Sequence, residues 1–407
     1  MKIKLLSVSL LALALAVGCQ EDEKGEKLSP LNVEEHKANL ESSGINVVDK
    51  FNDMADMEAI HVANDFMGLM GATSSTEGDV VAVAEVVGSL SEGSGTAVNL
   101  KATTVDDQSF GQTFTEETGI YTYNFDSQDW DVETSDDQIT YHFPTKGSTT
   151  NNATLSVTNF SYSTTSNSDY AVSELLESVD VSMAVEGAEL CLFSFNASYD
   201  ADGIPTSVSE SLSLGKYVLS TSVSCSSSKV VFGQSFEFDG ANIISSHFEN
   251  RGDIDYSSYV GGSETGEFDP YSENIPDYTN VWVAVDNLKL EGVFDWNGFQ
   301  NSGSKINEED VATEQAMMET LAELINKNAS LKLKYNDSNE IIALGEAFAA
   351  SFTDDYGTEY WDVDFRVKFS DGSYMDDSLF GEEDFTDLMT SVNELMTEME
   401  TNYGSAN

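Results

Sequence analysis

The residues of this chain that could carry out acid–base or metal chemistry are mostly carboxylates. Its 407 residues include 72 Asp and Glu but only four histidines, His36, His61, His142 and His247. The histidines form no HExxH pair, and the sequence has no GxSxG, GxxxxGK[ST] or GxGxxG motif. An acid and base pair for glycoside hydrolysis is set by tertiary distance, so sequence spacing selects none. We therefore predict no catalytic residue, no metal site and no cofactor.

The three cysteines, Cys19, Cys191 and Cys225, are too few for a thiolate zinc cluster and form no CxxC pair. Cys191 and Cys225 are the candidates for a disulfide in an oxidising compartment. In a simple meander of the predicted strands they would lie two strand spacings apart, about 9–10 Å. A disulfide needs Cα atoms within about 7 Å. Because both point to the same predicted buried face, we expect either a disulfide or two buried thiols.

The first 18 residues have the layout of a secretory signal. Lys2 and Lys4 precede an apolar run from Leu5 to Val17, and this run is shorter than the about 20 apolar residues of a spanning helix. Together with the cysteine that follows, Leu15-Ala16-Val17-Gly18-Cys19 resembles the lipobox of bacterial lipoproteins. That resemblance implies that residues 1–18 are removed and that Cys19 is acylated. The alternative is an ordinary secretory signal whose Cys19 stays in the mature protein.

An acidic cluster, Gln20-Glu21-Asp22-Glu23, follows Cys19 directly. It resembles the export signal that sends Bacteroidetes lipoproteins to the outside of the outer membrane. The alternative is a plain acidic linker. The resemblance implies a protein that is lipid-anchored in the outer membrane and faces the cell exterior, with the lipid anchor as its only contact with the membrane.

The net charge of −54 excludes one class of partner. Removal of residues 1–18 would take away Lys2 and Lys4 and make the charge −56. Nucleic-acid binding needs a basic face, because the cations that neutralise phosphates supply most of the non-specific affinity. We therefore exclude nucleic acid. With 40% hydrophobic and 10% aromatic residues, the chain has enough apolar material for a folded body.

Two hydrophobic periods divide the chain. Apolar residues recur at helical spacing up to Met70 and again from Phe385 to Met399. From about residue 96 they alternate with polar residues, which is typical of antiparallel strands with one buried and one wet face. The predicted organisation is a signal peptide (1–18), an acidic tether (19–30), an N-terminal helical segment (31–95), an antiparallel β body (96–380) containing a loop (252–280) and a helix (306–328), and a C-terminal helix (381–403).

The period and the strand number together predict an α+β fold. We expect a large curled antiparallel β-sheet of about a dozen strands, packed against N-terminal, late and C-terminal helices. Curling is expected because open sheets rarely exceed about ten strands without curling or splitting into two layers.

Three segments of the β body carry a further resemblance. Gly119 to Pro144, Asn151 to Leu155 and Phe195 to Ser207 resemble uncharacterised outer-membrane or surface lipoproteins of Bacteroidetes, over about residues 115–230. The resemblance supports the anchor and the compartment. It implies no catalytic residue.

These features predict a non-catalytic binding or structural lipoprotein, with a protein or a glycan as its partner. The candidate contact surface is the loop 252–280, since Tyr supplies rigid amphipathic area; the alternative is an idle loop. Its tyrosines are Tyr256, Tyr259, Tyr271 and Tyr278. A second hypothesis is a carrier of a hydrophobic ligand in the hollow of the curled sheet. A third is a polysaccharide-acting enzyme, which needs two carboxylates about 5–10 Å apart in one cleft.

Overall fold

The computed structural model describes residues 27–52, 57–72, 110–164, 174–201, 203–254, 276–303, 313–353, 357–375 and 385–403. Within these ranges the fold is α+β, with six helices and one sheet of sixteen strands. The helices are α1 (Val33–Asn52), α2 (Glu58–Ala72), α3 (Phe110–Glu117), α4 (Trp296–Gly303), α5 (Glu314–Asn328) and α6 (Thr386–Tyr403). The strands are β1 (Gly119–Asn124), β2 (Asp129–Thr134), β3 (Ile139–Phe143), β4 (Ala153–Thr164), β5 (Glu174–Val185), β6 (Ala188–Tyr199), β7 (Pro205–Leu214), β8 (Tyr217–Ser226), β9 (Lys229–Phe238), β10 (Ala241–Arg251), β11 (Tyr278–Val285), β12 (Leu288–Asp295), β13 (Ala329–Tyr335), β14 (Ile341–Thr353), β15 (Glu359–Phe369) and β16 (Tyr374–Met375).

From β3 to β16 the strands follow one another through the sheet in chain order, each antiparallel to the next. The departure is β1, which pairs in parallel with β3 and antiparallel with β2. Tight turns join several of the strand pairs, such as β5–β6, β7–β8 and β9–β10. At the Asp239-Gly240 turn between β9 and β10 both residues have positive φ, 51° and 77°, as a two-residue hairpin turn requires.

The expected curling and the expected strand number are both wrong. The sheet is uncurled. It is open, with β2 at one end of the strand order and β16 at the other, and it has sixteen strands rather than about a dozen. A sheet with two apolar faces must cover both of them. Here one face carries mainly Ser side chains in its central strands, which tolerate water, so only the other face needs a cover.

The described helices cover one face of the sheet, here called the helical face. Phe66 of α2 packs against Tyr141 and Phe143 of β3, with ring centroids 5.2 and 5.0 Å away. Phe51 of α1 stacks on Phe236 of β9 at 5.0 Å. The register places Phe236 and these core residues on the same side of the sheet. One continuous apolar face therefore supports both N-terminal helices.

The later helices extend this layer. Leu324 of α5 is buried with Phe294 and Leu331 of the helical face, whereas α6 packs on α1, where the carboxylate of Glu41 accepts the backbone N–H of Asp387 at 3.0 Å. The helix predicted over 306–328 is described from Glu314 onward. Its cap is Thr313, which accepts the N–H of Ala316.

The chain enters the described fold beside β14. The backbone N–H of Ser29 donates to the carbonyl of Ile341 at 2.8 Å, and the N–H of Ile341 donates to the carbonyl of Lys27 at 2.9 Å. These bonds attach the start of the described chain to the sheet before α1 begins.

Candidate functional site

The face opposite the helical face carries none of the described helices, and it is here called the open face. Directly paired residues of neighbouring antiparallel strands lie on the same face. Five serines on β6 to β10 are paired in this way and form the serine row: Ser194, Ser211, Ser220, Ser235 and Ser245. Neighbours in the row are one strand spacing apart, about 4.8 Å, so the row is a regular line of hydroxyl groups.

A second row runs parallel to the first, two residues away on each strand. It ends in two rings and is here called the aromatic row. It consists of Asn196, Ser209, Ser222, Gly233, His247 and Trp282 on β6 to β11. The His247 and Trp282 rings stack with centroids 5.6 Å apart and planes 17° from parallel. The Lys289 Nζ lies 4.8 Å from the Trp282 ring centroid. The imidazole stacked on the indole and the cation near the indole ring fix the orientation of this ring pair, here called the aromatic platform.

Glycine is the member of the aromatic row next to His247. A Cβ on Gly233 would come 3.1 Å from the Oγ of Ser222, which is a tight contact. Gly233 therefore leaves the groove unfilled between the serines and the two rings.

A shallow groove of about 530 Å³ lies over the two rows. Its lining adds the amides of Asn196 and Asn242 to the serines and the rings. Glu210 also contributes to the lining, but it is paired with the core residue Phe195, so its side chain belongs to the helical face. Burial raises the pKa of Glu210, and a hydrogen bond with Thr221 partly opposes this rise. The open-face groove thus offers neutral donors, acceptors and rings.

An ionised carboxylate lies beside the aromatic platform. Glu249 is almost fully buried and accepts the Lys229 Nζ at 2.7 Å and the Arg251 Nε; the Nε2 of His247 is 3.9 Å from it. Burial raises the pKa of Glu249, but the hydrogen bonds from Lys229 and Arg251 outweigh burial and hold the pKa below its usual range. The His247 imidazole therefore lies next to the ionised carboxylate of Glu249.

Of the four tyrosines predicted as a contact loop, the structure describes Tyr278. It lies in β11, paired with Arg251, whose guanidinium is 6.0 Å from the Tyr278 ring centroid. It is on the open face, two residues along the strand from Asn280 and four from Trp282. Tyr256, Tyr259 and Tyr271 lie outside the described residues, as does Cys19.

Both candidate disulfide cysteines are free thiols. The register pairs Cys191 with Leu214, which pairs with Tyr217, whereas Cys225 lies eight residues beyond Tyr217 on β8. Eight residues of strand span about 26 Å, so the two thiols face the same side but lie at opposite ends of their strands. Burial raises the pKa of each thiol. Cys191 and Cys225 are therefore two separate thiols rather than a disulfide.

Sequence reasoning missed the serine row and the platform of His247, Trp282 and Lys289. The alternation of Ser220, Ser222 and Ser224 with apolar residues did indicate a wet face. It could not show that five strands align their hydroxyls, because that alignment depends on the register of four hairpins.

No group of three or more His, Cys, Asp or Glu side chains in the described ranges is arranged to hold a metal ion. Among the same residues, no helix is long and apolar enough to cross a membrane. Comparison with protein-family models, with curated proteins and with solved structures finds no match to this chain.

Proposed function

We propose that this chain is a lipid-anchored, non-catalytic protein of the outer membrane that faces the cell exterior and binds a glycan on its open face. The observation that carries the proposal is the groove of about 530 Å³ over the serine and aromatic rows. It combines aligned hydroxyl groups with an aromatic platform on one uncovered surface of the described fold.

The chemistry of this surface suits a sugar chain. A serine hydroxyl both donates and accepts hydrogen bonds, so it can pair with a sugar hydroxyl in either orientation. The stacked rings of His247 and Trp282 present apolar C–H edges beside the hydroxyl groups, and these edges can contact the C–H groups of a sugar. The serine row repeats this hydrogen-bonding chemistry every strand spacing of about 4.8 Å, which favours a polymer over a single small molecule.

The anchor rests on Cys19, and the length of chain after it limits the reach of the body. Lys27, bonded to Ile341 at the start of β14, follows Cys19 by eight residues, which span at most about 28 Å when fully extended. Each buried acyl CH₂ contributes about 0.8 kcal/mol to membrane binding. An acylated Cys19 would therefore keep the sheet close to the lipid surface while its open face stays in water.

The two other hypotheses have less support. A hydrophobic carrier needs a hollow, but the sheet is open and Phe66 packs ring against ring on Phe143. An enzyme that cleaves polysaccharides needs two carboxylates in one cleft, but the acidic residue lining the groove, Glu210, turns its side chain to the helical face.

Affinity electrophoresis of the full chain, purified in detergent, tests the proposal. The gels would contain dextran, hydroxyethyl cellulose, mannan or xylan. We expect retardation by at least one polymer, and we expect Trp282→Ala to weaken this binding about tenfold, which corresponds to 1.4 kcal/mol.

The control is Trp361→Ala, the same substitution on the helical face of β15, where Trp361 alternates with the open-face residue Asp362. This variant should bind like the wild type, and thermal unfolding would confirm that both variants fold. If none of these polymers and no carboxymethylated or sulfated derivative of them retards the wild-type chain, the proposed function is wrong.

A further inference from the structure

Part of the open face carries a cluster of Lys and Arg residues, which are few in this acidic chain. Five of its 18 Lys and Arg residues lie on β12, β13 and β15 and are here called the basic strip: Lys289, Lys332, Lys334, Arg366 and Lys368. The carboxylates within the same cross-strand rows are Glu291 and Glu346. Five cations against two carboxylates give a local charge of +3 on a chain of −54. Asp364 lies on the same face in the next row, paired with Phe348, and counting it lowers the local charge to +2; Asp362 lies one row further.

Both carboxylates of the strip are held by its cations. Glu291 Oε2 lies 3.3 Å from the Lys334 Nζ and 3.2 Å from the Lys289 Nζ. Burial raises the pKa of Glu291, but the charges of Lys334 and Lys289 outweigh it, so the pKa lies below its usual range. Glu346 Oε2 lies 3.3 Å from Arg366. Lys334 is itself 3% exposed, so the positive surplus that a ligand can reach comes from Lys289, Lys332, Arg366 and Lys368.

Aromatic rings contact two cations of the basic strip, Arg366 and Lys368. Arg366 lies between the rings of Phe348 and Tyr374, at 4.5 and 3.7 Å from their centroids. The Nζ of Lys368, an exposed residue, is 5.3 Å from the same Tyr374 ring. Such contacts fix cations at a defined place without neutralising their charge. Their positions are therefore set before a ligand arrives, which lowers the entropic cost of binding.

The basic strip continues the aromatic row. Trp282 is paired with Glu291, which is paired with Lys332, and the same row runs through Leu344 to Lys368. From Trp282 on β11 to Lys368 on β15 there are four strand spacings, about 19 Å. A ligand lying along the aromatic row therefore reaches the cations without leaving the open face.

We propose that the basic strip makes the open face selective for acidic polysaccharides, whose sugars carry carboxylate or sulfate groups. This proposal rests on the proposed function and names its ligand class. The charge of the whole body repels polyanions at long range, but at physiological ionic strength this repulsion is screened over about 8 Å. At contact distance the cations of the basic strip determine whether an anionic sugar is attracted. Duplex DNA carries one charge per about 1.7 Å of helix axis. This charge density is far higher than that of the basic strip, so the strip cannot neutralise it.

Two matched polymer series test the selectivity. Hydroxyethyl cellulose, carboxymethyl cellulose and cellulose sulfate share one backbone, as do dextran, carboxymethyl dextran and dextran sulfate. We expect the full chain to bind an acidic member of a series about tenfold more tightly than its neutral member. The carboxylate and sulfate arms show which acidic group is preferred. The advantage over the neutral polymer should disappear at about 0.5 M NaCl, where the Debye length falls to a few ångströms.

The variant Lys332→Gln/Lys368→Gln removes two cations of the strip without touching the aromatic platform. It should bind the acidic and neutral members of each series about equally, within a factor of about three. Lys146→Gln, an exposed lysine outside the sheet, removes one charge elsewhere and should leave the preference intact. Thermal unfolding would check that each variant folds.

The two proposals fail in different ways. If no polymer of either series binds, and neither mannan nor xylan binds, the proposed function falls. If neutral and acidic members bind equally to the wild type, or if the double variant keeps the preference, only the selectivity is overturned. Duplex DNA that binds as tightly as the acidic polysaccharides would also overturn it, because the strip would then be a general polyanion site.

Discussion

At the residue scale, the most unusual side chain outside the open face is His36. It is 1% exposed, its Nδ1 lies 2.9 Å from the Tyr335 hydroxyl, and its Nε2 has no hydrogen-bond partner among the described residues. Burial lowers the pKa of His36, and the nearby Glu35 carboxylate offsets only part of this effect. The buried imidazole is therefore neutral under conditions in which a histidine of the unfolded chain becomes charged.

This difference predicts a dependence of stability on pH. The unfolded histidine has a pKa of about 6.5, so below that pH the unfolded state binds more protons than the folded state. The free energy of unfolding should fall as the pH is lowered through about 6.5 toward the lower pKa of the folded state. His36→Gln should remove this part of the fall, as measured by urea unfolding at several pH values.

The matched control is His61→Gln, an exposed position on α2, which should keep the wild-type dependence. If the wild type and His36→Gln lose stability in parallel between neutral pH and about pH 5, the neutral buried imidazole is the wrong explanation.

Few residues of the candidate site can be predicted from the sequence alone. Tyr278 was named, but for its place in a Tyr-rich loop rather than for its position in β11. Trp282, Lys289 and Lys368 are separated by up to 86 positions along the chain. They become one surface only through the register of β11 to β15, which depends on where each turn begins. Local pattern carries no information about such a distance.

At the element scale, the hydrophobic periods predict most of the helices and strands. Ala59, Val62 and Phe66 stand at helical spacing, and they are buried residues of α2. The hydrophobic periods do not predict which strands pair with each other or in which register. The parallel contact of β1 with β3 and the register shift between Thr158 and Ser161 follow from tertiary packing, and so does the open shape of the sheet.

The packing of α2 on the helical face gives a direct stability prediction. Phe66 is buried against Phe143, Tyr141 and Trp130, so Phe66→Ala would remove a large ring from a packed core. We expect the free energy of unfolding to fall by about 3–5 kcal/mol. Denaturant unfolding of the purified chain would measure it.

The neighbouring residue on the same helix provides the control. Met67 is 50% exposed, and Met67→Ala should change the free energy of unfolding by about 0.5 kcal/mol or less. Equal losses for the two variants would show that α2 does not pack through Phe66.

At the scale of the whole molecule, charge and anchor together define the proposed setting. A net charge of −54 keeps the molecules apart in solution, while the acylated Cys19 would hold each of them at a lipid surface. The basic strip is the local exception to that charge. It could not be inferred from composition, because the total of 18 cations says nothing about their clustering.

The anchor proposal predicts a change of compartment on mutation. Wild-type protein should fractionate with the outer membrane and be degraded when protease is added to intact cells. Cys19→Ser removes the acylated thiol, so this variant should leave the outer-membrane fraction. Protection of the wild-type protein until the cells are lysed would place it on the inner leaflet and contradict the exterior location.

The open face as the binding surface is tested most directly by hydroxyl-radical footprinting of the full chain, with and without the polysaccharide that it binds most tightly. The account predicts that His247 and Trp282 become less reactive in the complex. Trp296 and Trp361, on the helical side, should react as they do in the free protein. Protection of the helical side with an unchanged reactivity of His247 and Trp282 would contradict the account.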